Sequence, residues 1–75
     1  MDTELLNEQV QIERKVFSLS LRENPRGRFL RITEDVGGRR DTVIIPSTGL
    51  EAVRDVLNTA IAADRQAGPY PSQSD

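Results

Sequence analysis

The residues best suited to chemistry lie in one stretch, Arg22-Glu23-Asn24-Pro25-Arg26-Gly27-Arg28-Phe29-Leu30-Arg31. Arginine presents a planar fork of donors that matches phosphate and stacks on flat rings. A phenylalanine set between arginines adds a second stacking surface. Such a set supports binding of a polyanion with exposed bases, and it makes or breaks no bond. The chain has no cysteine and no histidine. Within it, Cys–His, Ser–His and imidazole proton transfer cannot be built, nor disulfides or zinc sites that need those ligands. The 12 Asp and Glu side chains leave carboxylate pairs as the remaining acid–base device. A chain of 75 residues has little room for the shielded cleft that would tune them. The expectation is a binding protein, not an enzyme, with no cofactor, no metal and no small-molecule substrate.

Charge supports the same reading. The chain nets −2, but eight of its ten basic residues lie between Arg14 and Arg40: Arg14, Lys15, Arg22, Arg26, Arg28, Arg31, Arg39 and Arg40. Against them stand only Glu23, Glu34 and Asp35, so this window is strongly basic and the remainder acidic. Nine of the ten bases are arginine.

These residues must be positioned by something, and the apolar periodicity says what. Residues 1–8 lack a clear period and are expected to be a flexible N-terminus. Val10 and Ile12 alternate on even numbers, whereas Phe17, Leu19 and Leu21 alternate on odd ones. One continuous strand cannot keep both sets on one face, so a bulge or break is expected within residues 13–16. Asn24-Pro25-Arg26-Gly27 is a turn, because proline fixes φ and glycine closes it. Leu30 and Ile32 then alternate with Phe29, Arg31 and Thr33, Gly37-Gly38 makes the next turn, and residues 41–45 form a β-branched strand that Pro46 stops. Beside that second turn, Arg39 and Arg40 read either as solvated charge or as a phosphate clamp at the rim.

Past Pro46, Thr48-Gly49-Leu50-Glu51 reads as a capping box with Thr48 as N-cap. Leu50, Val53, Leu57, Ala60 and Ile61 recur at three- and four-residue steps, which predicts a helix with one apolar stripe. Gly68-Pro69 ends it, and residues 68–75 read as a disordered polar tail. The domain is thus placed at residues 9–67. If the helix stripe of Val53, Leu57 and Ile61 meets Phe17, Leu19, Leu21, Leu30 and Ile32, the opposite sheet face carries Ser18, Ser20, Arg22, Phe29, Arg31 and Thr33. Pattern alone leaves two readings of that face. It is an ordinary solvated surface with one phenylalanine, or a single-strand binding surface.

A chain this short buries only about 60% of its unfolded surface, so solitary stability is thin. With disulfides and zinc excluded, a partner subunit is the remaining source of stability. No apolar run approaches the ~20 residues that span a bilayer, and the N-terminus is acidic, so no membrane partner is expected. The expected compartment is the cytoplasm, with nucleoid association left open.

The stretch from Gln11 to Ile32 resembles the PUR repeat of the Pur-alpha family. Gly27-Arg28-Phe29-Leu30-Arg31-Ile32 is its most specific part, and Val53-Arg54-Asp55-Val56-Leu57 is similar to that family's helix. The resemblance implies an α+β fold, four antiparallel strands followed by one C-terminal helix, in a Whirly-like arrangement. Two such repeats intertwine in the family, so a single-repeat chain implies a homodimer. It further implies binding of purine-rich single-stranded DNA and RNA, transcription regulation and, in some members, strand separation. The family's contact positions fall on Arg14, Lys15, Arg22, Asn24, Phe29 and Arg31, with Arg26 and Arg28 beside them. Glu13, Val16 and Ser18 depart from the family pattern, which has a polar, a basic and an aromatic residue there. An acidic Glu13 repels phosphate. The other class open to the chain is a protein-interaction module that keeps the fold and binds nucleic acid weakly or not at all.

Overall fold

The computed structural model describes residues 2–69 and shows a four-stranded antiparallel sheet followed by one helix. Strand β1 is Thr3–Ile12, β2 Lys15–Asn24, β3 Gly27–Val36 and β4 Arg39–Pro46; the helix α1 is Leu50–Ala67. The strands pair in sequence order, β1-β2-β3-β4, as a meander.

Each connection has its own turn chemistry. Ile12 pairs with Lys15, so Glu13 and Arg14 alone join β1 to β2, and Glu13 takes a left-handed φ of 56°. This is the break required by the two parities, and it brings Val10 opposite Phe17. At the second turn, Asn24 Oδ1 accepts from the amides of Arg26 (2.9 Å) and Gly27 (3.2 Å), fixing an Asx turn around Pro25. At the third, Gly37 and Gly38 have φ of 59° and 91°, the two positive values that a type I′ hairpin turn takes. The Gly38 amide also donates to Asp35 Oδ1 at 3.0 Å.

Two expectations are corrected here. β1 starts at Thr3, so residues 3–8 of the segment expected to be a flexible N-terminus form a strand. Its backbone ladder to β2 needs no periodic side chains, which is why periodicity missed it. The capping box does not form either. A short 3₁₀ turn, Ser47–Gly49, runs straight into α1; Gly49 is the N-cap, and no side chain caps the helix. The Leu50 amide instead donates to the Ser47 carbonyl. Gly68, with φ of 83°, ends the helix as expected, and residues 70–75 of the expected tail lie outside the described residues.

The register settles the two faces of the sheet. Phe17, Leu19 and Leu21 share one face with Leu30 and Ile32, joined by Leu6, Val10, Val43 and Ile45. The helix does not cover them. Among the described residues no apolar side chain is buried, and Val53, Leu57 and Ile61 are exposed, Leu57 by 58%. α1 leans on the 3₁₀ turn and extends away from the sheet instead of lying along it. The radius of gyration is 15.1 Å, against about 11 Å for a compact chain of this length. The accessible surface is 6496 Å², against roughly 4,600 Å² for a compact protein of this mass. The packing of helix stripe on sheet expected from periodicity does not occur within one chain, because the short linker after Pro46 carries α1 off the sheet's end.

Candidate nucleic-acid interface

The other sheet face gathers half of the expected contact residues. Ser18 pairs with Thr33, Ser20 with Arg31, Arg22 with Phe29, and Asn24 with Gly27. Paired residues point to the same side, so Arg22, Asn24, Phe29 and Arg31 lie together with Ser18, Ser20 and Thr33. β4 extends this side with Thr42, Ile44 and Pro46, which stand opposite Thr33, Arg31 and Phe29. Phe29 is half-buried between Arg22 and Pro46, its cross-strand neighbours, and Arg31 is exposed. Thr33 and Thr42 hydroxyls lie 3.2 Å apart, and the Gln9 amide donates to Ser18 Oγ at 3.1 Å.

The remaining expected residues fall elsewhere. Arg14 is in the β1–β2 turn and Arg26 in the β2–β3 turn. Lys15 and Arg28 stand on the apolar side, opposite Val36 and Glu23, and each meets a carboxylate there: Glu34 at 3.3 Å and Glu23 at 2.6 Å. Arg26 and Arg28 line an open cleft of about 510 Å³ with Thr3, Asn24 and Ser47 at one end of the sheet.

The expected basic surface is also corrected. The arginines that cluster in sequence are divided between two faces and the turns, and acids pair with most of those on the open side. Arg40 Nε donates to Asp35 Oδ2 at 3.1 Å. Arg22 lies between two carboxylates, with Nε 3.4 Å from Asp2 Oδ2 and Nη1 3.2 Å from Glu4 Oε2. Glu4 Oε2 also accepts from Ser20 Oγ at 2.8 Å and Asn7 Nδ2 at 3.1 Å, while Asn24 Nδ2 donates to Asp2 Oδ1 at 3.3 Å. The Asn24 hydrogen bond, together with the Arg22 charge, holds the Asp2 carboxyl below the ordinary aspartate range. Arg31 is the cation on this face with no carboxylate within ion-pair distance among the described residues. Asp2 and Glu4 are the residues sequence reasoning missed. They lie 18 to 20 positions from Arg22, and no local pattern links them.

No group of acidic side chains among the described residues is arranged to hold a metal ion, and no helix is long and apolar enough to cross a membrane.

Comparison with known proteins identifies the family. Residues 2–68 match the family described as PurA ssDNA and RNA-binding protein. The chain is 44% identical over 57 residues to Transcription factor Pur-alpha 1 of Arabidopsis thaliana, covering 76% of this chain and 19% of that protein. It is 34% identical over 67 residues to Transcriptional activator protein Pur-alpha of Mus musculus and of Homo sapiens, covering 88% of this chain and 21% of each. The chain therefore spans about a fifth of the length of these relatives. A family match that runs from the start of β1 to the end of α1, over the same four strands and helix, has one meaning: the chain belongs to the PurA family.

Proposed function

We propose that this chain binds single-stranded DNA or RNA on the open sheet face, with a preference for purine-rich sequence, and acts in transcription-related regulation. The observation that carries the reading is the placement of Phe29 and Arg31 on one uncovered face with Arg22 and Asn24. A ring offers stacking to any base, and a guanidinium without a carboxylate partner offers charge to phosphate. Strand separation would follow if Phe29 inserts beside an unpaired base.

The working unit is a homodimer in which α1 of each copy lies on the apolar sheet face of the other. The uncovered face, the exposed helix stripe and the excess accessible surface all support this. That excess is comparable with what one protomer buries in an obligate dimer. Each copy then supplies one open face, and a strand crossing both meets two Phe29 rings.

A second reading, a protein-interaction module with weak nucleic-acid binding, is favoured by one observation: Lys15, Arg22, Arg28 and Arg40 all meet carboxylates of their own chain. A salt titration of a purine-rich single-stranded oligonucleotide, run beside the matched RNA and duplex, separates the two. Binding that weakens with salt, at a log–log slope of about 0.7 per phosphate contact, supports the first. No binding at low salt leaves the interaction module.

A further inference from the structure

We propose that Glu4 and Asp2 set the selectivity of this face. They occupy Arg22 with carboxylate where a backbone phosphate would otherwise bind, so that recognition depends on base stacking and Arg31. The proposal rests on the nucleic-acid-binding reading above.

A bulge in β1 makes the arrangement possible. Leu6 pairs with Leu21, but Glu4 pairs with Arg22 and Thr3 with Glu23, so one extra residue is inserted between Glu4 and Leu6. Without that insertion the register would set Leu5 opposite Arg22 and Glu4 opposite Glu23, on the apolar side and against a like charge. The bulge turns Glu4 to the open face and aims it at a guanidinium.

The cluster is built rather than incidental. Ser20, the buried polar residue of this face at 7% exposure, donates to Glu4 Oε2 at 2.8 Å and accepts from Arg22 Nη1 at 3.3 Å. Asn7 and Asn24 hold the two carboxylates from either side. The Arg22 side chain is only 20% exposed, against 52% for Arg28 and 74% for Arg40. A guanidinium fork satisfied by two carboxylates gains little from exchanging them for phosphate. A polyanion that offers phosphate but no unstacked base, such as duplex DNA, loses most from this. A single strand still has bases for Phe29. The carboxylates thus select bases by removing part of the charge that any polyanion would use.

The test compares the full chain with Glu4→Gln and Asp2→Asn, each alone and combined with Arg22→Ala, against a single-stranded purine-rich oligonucleotide, the matched duplex and inorganic polyphosphate. Glu4→Gln should tighten duplex and polyphosphate binding about two- to fivefold, with a smaller gain on the single strand. The salt slope on duplex should steepen by about 0.9, one phosphate contact. Asp2→Asn should act in the same direction, and its place before β1 keeps the sheet ladder out of question. Arg22→Ala should erase both gains. Folded variants that bind duplex no tighter than the parent overturn the proposal, as does a loss of single-strand affinity, which would make Glu4 a positioning residue for Arg22. A parent chain that binds no single strand at low salt overturns the binding reading instead, and this proposal with it.

Discussion

Phe29 stands directly opposite Arg22 across the β2–β3 ladder, on the side of the sheet away from Leu21 and Leu30. Ring and guanidinium therefore share a face although seven positions separate them, and each can be removed without touching the apolar side.

Phe29→Ala should cost no more than about 1 kcal/mol of stability, because the ring is half-buried outside the apolar face. Single-strand affinity should fall by about one to two decades, the loss of one base–aromatic stack, with the salt slope unchanged. Circular dichroism melts beside the binding titration check both. An unfolded variant, or a folded one with full affinity, ends this account of the site.

Arg31→Ala should show the opposite signature. The slope of log affinity against log salt should fall by about 0.7, and the loss should be greatest at low salt. Fluorescence anisotropy at several salt concentrations reads it directly.

Leu57 is exposed by 58% in the single chain, where an aspartate would be harmless. In the proposed dimer it is covered by the partner's sheet, and Leu57→Asp buries an unpaired charge. The variant should then be unfolded, and the parent's Tm should rise with protein concentration. A concentration-independent melt from a monomer of native mass would refute the dimer.

Asp2 should titrate below an ordinary aspartate, held there by Asn24 and Arg22. Because the folded value is depressed, the stabilisation from these contacts is present above the unfolded value and is lost as pH falls through the folded one. A carboxyl-carbon NMR titration measures the midpoint, and Asn24→Ala should move it back up.

Most of the fold was legible in the sequence, since strands and turns rest on local rules. The parity change between Ile12 and Phe17 called for a bulge or break, which takes the form of a hairpin turn, and Asn24-Pro25-Arg26-Gly27 and Gly37-Gly38 specified the other turns. The alternation around Phe29 placed it on the face with Arg22 and Arg31, as the register shows. What escaped depends on distant partners. Glu4 and Asp2 meet Arg22 only through a bulge and a cross-strand ladder, and with Lys15, Arg28 and Arg40 also paired, half of the eight cations in the window read as basic meet a carboxylate in space. The Thr48–Glu51 box matched its motif, but the 3₁₀ turn at Ser47 had already taken the helix start. The helix stripe was read correctly as apolar; its spacing could not say which sheet it would cover.

All three hairpins of the meander close through two-residue loops. Such contacts are local, and loop closure costs little entropy, so each hairpin can form within microseconds of its strands being free. The helix has no comparable local partner. If only a second chain can cover the apolar face, the sheet assembles by a first-order process and the last step is second-order, slowed by dilution. At low expression the half-finished form would persist, with its apolar face and both edge strands, β1 and β4, open to wrong pairings. The rate at which copies are made near one another then becomes part of how this protein folds.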